Sequence, residues 1–202
     1  LREMLCGSTR FNDLRRGLAR MSPTLLSKRL KELELAGVIR SVPTPSGASE
    51  YKLTEAGEDL RPIILGIGNW GQRWVESRLS LRNLDPTLLM WDMRRNLSTD
   101  PLPPRRCTIQ FLYPELATTH RNYWLVVESG EVDLCYTDPG FDIDLLVTSS
   151  LRTMTSIWMG LARLDAEVRA GHVQLEGDPA IRRAMQHWLK LSTFAPVERR
   201  VA

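Results

Sequence analysis

Residues 22–37 carry the signals for both ends of one short helix, and this constrains the chain more than any other feature. Ser22 can accept the first free amides of the helix, Pro23 suits the first helical position, and Gly37 offers a left-handed stop. Between them Leu26, Leu30 and Leu33 fall on one stripe, so the helix has a single face to bury. Just upstream, Phe11, Leu14 and Leu18 recur at helical spacing behind Ser8 or Thr9 as the cap, and that helix is expected to end near residues 17–20. Two short helices joined by a tight turn form a helix-turn-helix. Residues 38–42 and 50–53 then read as the arms of a β-hairpin around the turn-rich 43–49, a long flexible tip; a hairpin directly behind a helix-turn-helix is a wing.

The direction in which the second helix points its polar residues follows from geometry. With Leu26 at the centre of the buried face and about 100° per residue, Thr24, Lys28 and Lys31 lie on the far side and Ser27 flanks them. The charge distribution agrees. Residues 1–80 hold 13 Lys+Arg against 9 Asp+Glu, whereas residues 81–202 hold 14 against 15. Within residues 10–40 there are 8 basic and 3 acidic side chains, a patch suited to phosphates.

Beyond the wing, Thr54 is placed to cap an acidic first turn, and Leu60, Ile63, Ile67, Trp70 and Trp74 recur at steps of three and four. Pro62 should kink or restart this helix. The spacing leaves open whether the seam meets its own domain or a second subunit. Residues 80–85 read as a polar connector, with Asp85 and Pro86 opening a new helix. From residue 106 the apolar period changes to two, giving expected strands at 108–112, 122–127, 132–136 and 143–148, with Ser129-Gly130 as a hairpin turn. Helices around 150–161 and 166–170, a short strand at 173–175 and a final helix from Asp178-Pro179 to about residue 189 follow. Strands first and helices afterward predict an α+β fold with an antiparallel sheet covered by helices.

Several chemistries find little support. Cys6, Cys107 and Cys135 are odd in number and scattered, and with His120, His172 and His187 they make no zinc-ligand spacing. A reducing compartment, no structural metal and no cofactor are expected. The longest uncharged stretch is eleven residues, 62–72, too short to span a bilayer. No signal peptide opens the chain, although it begins at Leu1 rather than Met and so is expected to lack upstream elements. Asp142 and Asp144, two apart, would share one face of a strand, but neither they nor His172 and His187 form a recognisable catalytic set, and Gly66, Gly68 and Gly71 are not a phosphate loop. The chain is therefore not expected to be an enzyme.

The runs GSTRFNDLRRGL at 7–18, MSPTLLSKRLKELE at 21–34, AGVIR at 36–40 and YKLTEAG at 51–57 resemble the HxlR family of bacterial winged helix-turn-helix transcription regulators. The resemblance covers residues 1–80. It implies that residues 22–35 are the recognition helix, that residues 38–53 are the wing, and that the protein is a homodimer in the bacterial cytoplasm. It also implies that a dimer-forming amino-terminal helix is mostly missing here. Some members sense oxidants through a cysteine in that helix, and Cys6 is not that cysteine by position. Further on, DPGFDIDL at 138–145, SIWMG at 156–160 and GHVQLEGDPA at 171–180 are similar to sterol-carrier-protein-like domains, over residues 86–192. Such domains often leave an apolar tunnel, for which Trp124, Met154, Trp158, Met159 and Trp188 are the candidate lining.

The expected function is a DNA-binding transcriptional regulator, a dimeric repressor whose second domain supports dimerisation or senses a hydrophobic small molecule. Its partner is an operator in double-stranded DNA. Ser22, Thr24, Ser27, Lys28, Lys31 and Arg40 are the expected DNA-contacting residues. The alternative is a lipid-carrier or protein-interaction module whose winged helix is not used for DNA.

Overall fold

The computed structural model describes residues 1–18, 20–45, 47–76 and 81–201. Ser80 at the start of the expected connector and Ser46 in the expected wing tip lie outside the described residues. The chain divides into two compact units, Leu1–Arg73 and Trp74–Ala202.

The first unit runs α1 (Arg2–Leu5), α2 (Phe11–Gly17), α3 (Pro23–Leu35), β1 (Ile39–Pro43), β2 (Ser49–Leu53), α4 (Glu55–Glu58) and α5 (Arg61–Trp74), whose last residue falls in the second unit. Its core is small: Met4, Leu14, Leu26, Leu30 and Ile39 are buried, and Phe11, Leu18, Leu33, Tyr51 and Leu53 pack around them. At about 1.5–3 kcal/mol for each fully buried aliphatic side chain, so small a core leaves helix ends and turns a sizeable share of the stability. The α3 termini are accordingly well closed. Ser22 Oγ accepts the Leu25 amide at 3.2 Å with Pro23 at the first position. At the other end Gly37 takes φ 71°, and the amides of Gly37 and Val38 reach back to the carbonyls of Glu34 and Leu33, both at 3.0 Å. This double return satisfies carbonyls that the helix end would otherwise expose.

The wing pairs antiparallel from Ile39↔Leu53 to Pro43↔Ser49. Its tip is more tightly closed than the sequence suggests, because the Thr44 amide and hydroxyl both donate to the Ala48 carbonyl, at 2.8 and 2.9 Å. The expected side-chain cap of α2 is absent: Arg10, not Ser8 or Thr9, precedes the helix, without a capping hydrogen bond. The Thr9 carbonyl instead accepts the Tyr51 amide at 2.7 Å, and Arg10 bridges to Glu50, so this segment lies against the wing as a rudimentary third strand. Behind the wing, Thr54 caps α4 through the Gly57 amide, and its hydroxyl donates to the Gly37 carbonyl at 2.6 Å. Gly57 is required there, since a Cβ would stand 2.2 Å from the Val38 carbonyl oxygen. After α4 the chain restarts as α5 with Pro62 in the first turn, where its missing amide costs nothing.

The second unit comprises α6 (Pro86–Asn96), β3 (Cys107–Leu112), β4 (Asn122–Glu128), β5 (Glu131–Cys135), β6 (Leu145–Ser149), α7 (Leu151–Trp158), α8 (Leu164–Arg169), β7 (Val173–Gly177), α9 (Pro179–Arg183) and α10 (Met185–Trp188). The five strands form one sheet in the order β5-β4-β3-β6-β7. Three of its pairings are antiparallel, as expected, while β3 and β6 run parallel. The parallel pair arises because a long connection, not a hairpin, separates β5 from β6. Ser129 at φ 52° and Gly130 at φ 81° make the tight β4–β5 turn. Asp85, Ser150 and Asp178 cap α6, α7 and α9 with their side chains. The expected final helix is divided at Ala184 into α9 and α10. Asp142 and Asp144 precede β6 instead of lying on it: Asp144 accepts the Thr108 amide at 2.8 Å and pairs with Arg105 at 2.7 Å. One face of the sheet, with Ile109, Phe111, Tyr123, Leu125 and Val147, packs into the main core with Met154, Trp158 and Trp188.

Candidate nucleic-acid interface and second-unit cleft

The polar residues of α3 lie where the helical spacing sets them. Ser22, Thr24, Ser27, Lys28 and Lys31 are all exposed, opposite the buried Leu26 and Leu30. Arg40, on the first strand of the wing, is exposed as well. Ion pairing sorts the surrounding cations. Arg29 is held by Glu32 at 2.6 Å, Arg16 by Asp13 at 3.3 Å and Arg10 by Glu50 at 3.5 Å. Among the described residues Arg15, Lys28, Lys31 and Arg40 have no acidic partner. An unpaired surface cation has no internal contact to give up when it meets a phosphate. The wing is tied to the same helix, as the Ser41 amide donates to Glu34 Oε1 at 2.9 Å. Sequence reasoning did not single out Leu25, on the flank of this surface, or Leu35 at its far end, which is 90% exposed.

The apolar seam of α5 is largely uncovered. Ile63, Ile67, Trp70 and Trp74 are exposed, with Trp70 at 61%. Isolated exposed apolar residues are ordinary, but four on one helix face form a patch of the kind that meets a partner.

Of the five residues expected to line a tunnel, four pack together in the core of the second unit and Trp124 does not join them. Met154, Trp158 and Trp188 are packed in the core with Met159 against them, and the Trp188 indole N–H donates to the Ile181 carbonyl at 2.9 Å. Trp124 alternates with the core-facing Tyr123 and Leu125 and therefore points from the opposite face of the sheet, where its buried indole nitrogen has no partner among the described residues. The open volume lies elsewhere. A cleft of about 760 Å³ is walled by α8, β7, α9 and α10, with Leu164, Val168, Leu175 and Met185 as its apolar surface and Arg182 and Arg183 beside them. The sequence held one usable signal for it, the adjacent arginines that follow the Asp178-Pro179 cap and flank apolar Ile181 and Met185. A smaller cavity of about 260 Å³ adjoins Ile157, Leu189 and Leu191.

Among the described residues no group of three or more His, Cys, Asp or Glu is placed to hold a metal ion, and no helix is long and apolar enough to cross a membrane. His172 Nδ1 lies 2.7 Å from Glu167, a pairing that the sequence did not reveal, on an exposed surface. Cys107 is fully buried, and burial, helped by the nearby Asp144 carboxylate, pushes its thiol up to about 12. Burial also raises Cys135, whereas Cys6 is exposed. An alkylating reagent at neutral pH should therefore modify Cys6 in the native protein and Cys107 only after unfolding, as read by mass spectrometry; native labelling of Cys107 would contradict its burial.

The profile of the HxlR-like helix-turn-helix matches residues 1–79. The HTH-type transcriptional regulator YvaP of Bacillus subtilis is 40% identical over 76 residues, which cover 37% of this chain and 70% of YvaP. The chain belongs to the HxlR-like helix-turn-helix family. A second HxlR-like relative, the HTH-type transcriptional regulator YdeP of the same organism, is 35% identical over 81 residues, and the match covers 38% of this chain and 61% of YdeP. Both matches are confined to little more than a third of this HxlR-like chain. Solved structures similar to it include the ubiquinone synthesis protein UbiJ-SCP2, at 19% identity and a TM-score of 0.40, covering 55% of this chain and 89% of that one.

Proposed function

We propose that this protein is a DNA-binding transcriptional regulator of the bacterial cytoplasm, a dimeric repressor and not an enzyme, whose second unit senses a hydrophobic small molecule. The observation that carries the reading is the outward face of α3. Thr24, Ser27, Lys28 and Lys31 stand exposed on a helix fixed by Ser22, and Lys28, Lys31 and Arg40 have no acidic partner among the described residues. Thr24 and Ser27 are able to hydrogen-bond base edges in a major groove, while the lysines meet phosphates or guanine. The exposed face of α5 suits a second copy, because a dimer reads two half-sites spaced by a helical turn or its multiples. The names of the family relatives support the same reading.

The alternative, a lipid-carrier or interaction module with an unused winged helix, draws on the cleft in the second unit. Selection of bound fragments from the source genome separates the two. A regulator enriches a shared sequence with half-sites about 10–10.5 base pairs apart, or a multiple of this; a carrier enriches none.

The wing supplies an independent check. Arg40 and the tip at residues 44–49 are proposed to contact the backbone or the minor groove, which positions the protein without reading sequence. Shortening the tip should reduce affinity for all duplexes alike in a binding titration. A changed operator preference without general loss would refute this role.

A further inference from the structure

We propose that Leu25 selects a thymine in the operator by contact with its 5-methyl group, as the apolar specificity residue of α3. The proposal rests on the reading of α3 as the recognition helix and names the base that one of its residues selects.

An exposed leucine by itself means little, but the place of this one is informative. Leu25 is 40% exposed and stands outside the cluster that buries Leu26 and Leu30. At about 100° per residue it lies as far to one side of Leu26 as Ser27 lies to the other. Ser27 is on the side of the wing, which is tied to the helix at Glu34, and Leu25 is on the side away from it. The two therefore flank Thr24, Lys28 and Lys31 symmetrically, and a groove that takes this face of the helix meets both edges. Leu25 is also in the first turn, and the amino-terminal residues of a recognition helix are those that meet base edges.

Its position is fixed before DNA arrives. Ser22 Oγ accepts the Leu25 amide at 3.2 Å, and a long side chain on a helix leans back toward the amino terminus, here the end that meets the bases. Arg29 and Glu32, on the same flank, neutralise each other at 2.6 Å.

Of Thr24, Leu25, Ser27 and Lys28, Leu25 alone has no hydrogen-bonding group in its side chain. It cannot satisfy the donors and acceptors that guanine, cytosine and adenine present in the major groove, and burying those edges against it carries a cost. Thymine is the base that offers a methyl group there.

The test begins with selection of duplexes from a randomised pool by the full chain. Each thymine of the enriched duplex is then replaced in turn by deoxyuridine, which removes the 5-methyl group alone. At one thymine the native protein should lose about fourfold in affinity, the worth of one methyl group buried against an aliphatic side chain. Leu25→Ala, which leaves the core and the Ser22 cap in place, is too short for the contact and should bind the thymine and deoxyuridine duplexes alike. Leu25→Met keeps an apolar side chain and should retain the discrimination. The role of Leu25 is overturned if no thymine methyl matters to the native protein. It is equally overturned if Leu25→Ala keeps the full fourfold difference, which would assign the contact to another residue such as Thr24. A pool in which no sequence is enriched would overturn the DNA reading of α3 as well.

Discussion

A ligand held in the second unit is expected to change operator affinity by roughly 5- to 150-fold, the span of coupling energies of about 1–3 kcal/mol. Coupling of this size arises only if the ligand binds the DNA-competent and DNA-incompetent arrangements unequally; equal binding shifts nothing, however tight it is. The chain offers a covalent route between the units. The apolar helix α5 contains the boundary between them, its last residue Trp74 belonging to the second unit. In a dimer, a change in this segment would reset the spacing of two recognition helices, and half-site spacing is what such dimers measure. Titration of an operator duplex with and without a saturating ligand measures the effect. Reciprocity gives a second reading, because DNA must alter the ligand's affinity by the same factor. A ligand that binds yet leaves operator affinity unchanged would reduce the second unit to a rigid dimerisation or carrier module.

Trp188→Ala is expected to cost about 3–5 kcal/mol of stability, as large-to-small changes at buried aromatics do. Trp188 has no exposed surface, lies in the main core of the second unit, and donates its indole N–H to the Ile181 carbonyl in α9. The substitution therefore opens a cavity and removes that carbonyl's partner together. Denaturant unfolding of the full chain reads the loss in the transition of the second unit. A cost below about 1 kcal/mol, typical of a surface site, would contradict the packing described.

Much of the first unit was legible because its signals are local. Ser22, Pro23 and Gly37 define α3 through backbone chemistry within one or two turns, and Thr54 with Gly57 does the same for α4. The expected cap of α2 failed for the opposite reason. Thr9 is drawn against the wing by Tyr51, forty-two residues away in sequence, and no local pattern announces that pairing. In the second unit, period-two apolarity located the strands to within two residues, but periodicity does not specify strand order, so the parallel β3–β6 pair was not foreseen.

The candidate ligand residues are harder to read. The sterol-carrier resemblance implies Trp124, Met154, Trp158, Met159 and Trp188 as a tunnel lining, whereas alternation along β4 turns Trp124 away from the face that buries Trp158 and Trp188. The cleft is built from modest residues on four separate elements, which become neighbours only when β7 joins β6. On α3, by contrast, a 3.6-residue period sufficed to place Thr24, Lys28 and Lys31 outward, because orientation on a capped amphipathic helix follows from spacing alone.

The central claim, that the outward face of α3 holds DNA, is tested most directly by the salt dependence of duplex binding for the native protein, Lys28→Ala and Lys31→Ala. Each phosphate contact contributes about 0.9 to the slope of log affinity against log salt concentration. Each variant should bind more weakly than the native protein and show a slope shallower by about one unit if its lysine meets a phosphate. Unchanged affinity and unchanged slope in both variants, with melting temperatures showing that both are folded, would contradict the assignment of α3 to DNA.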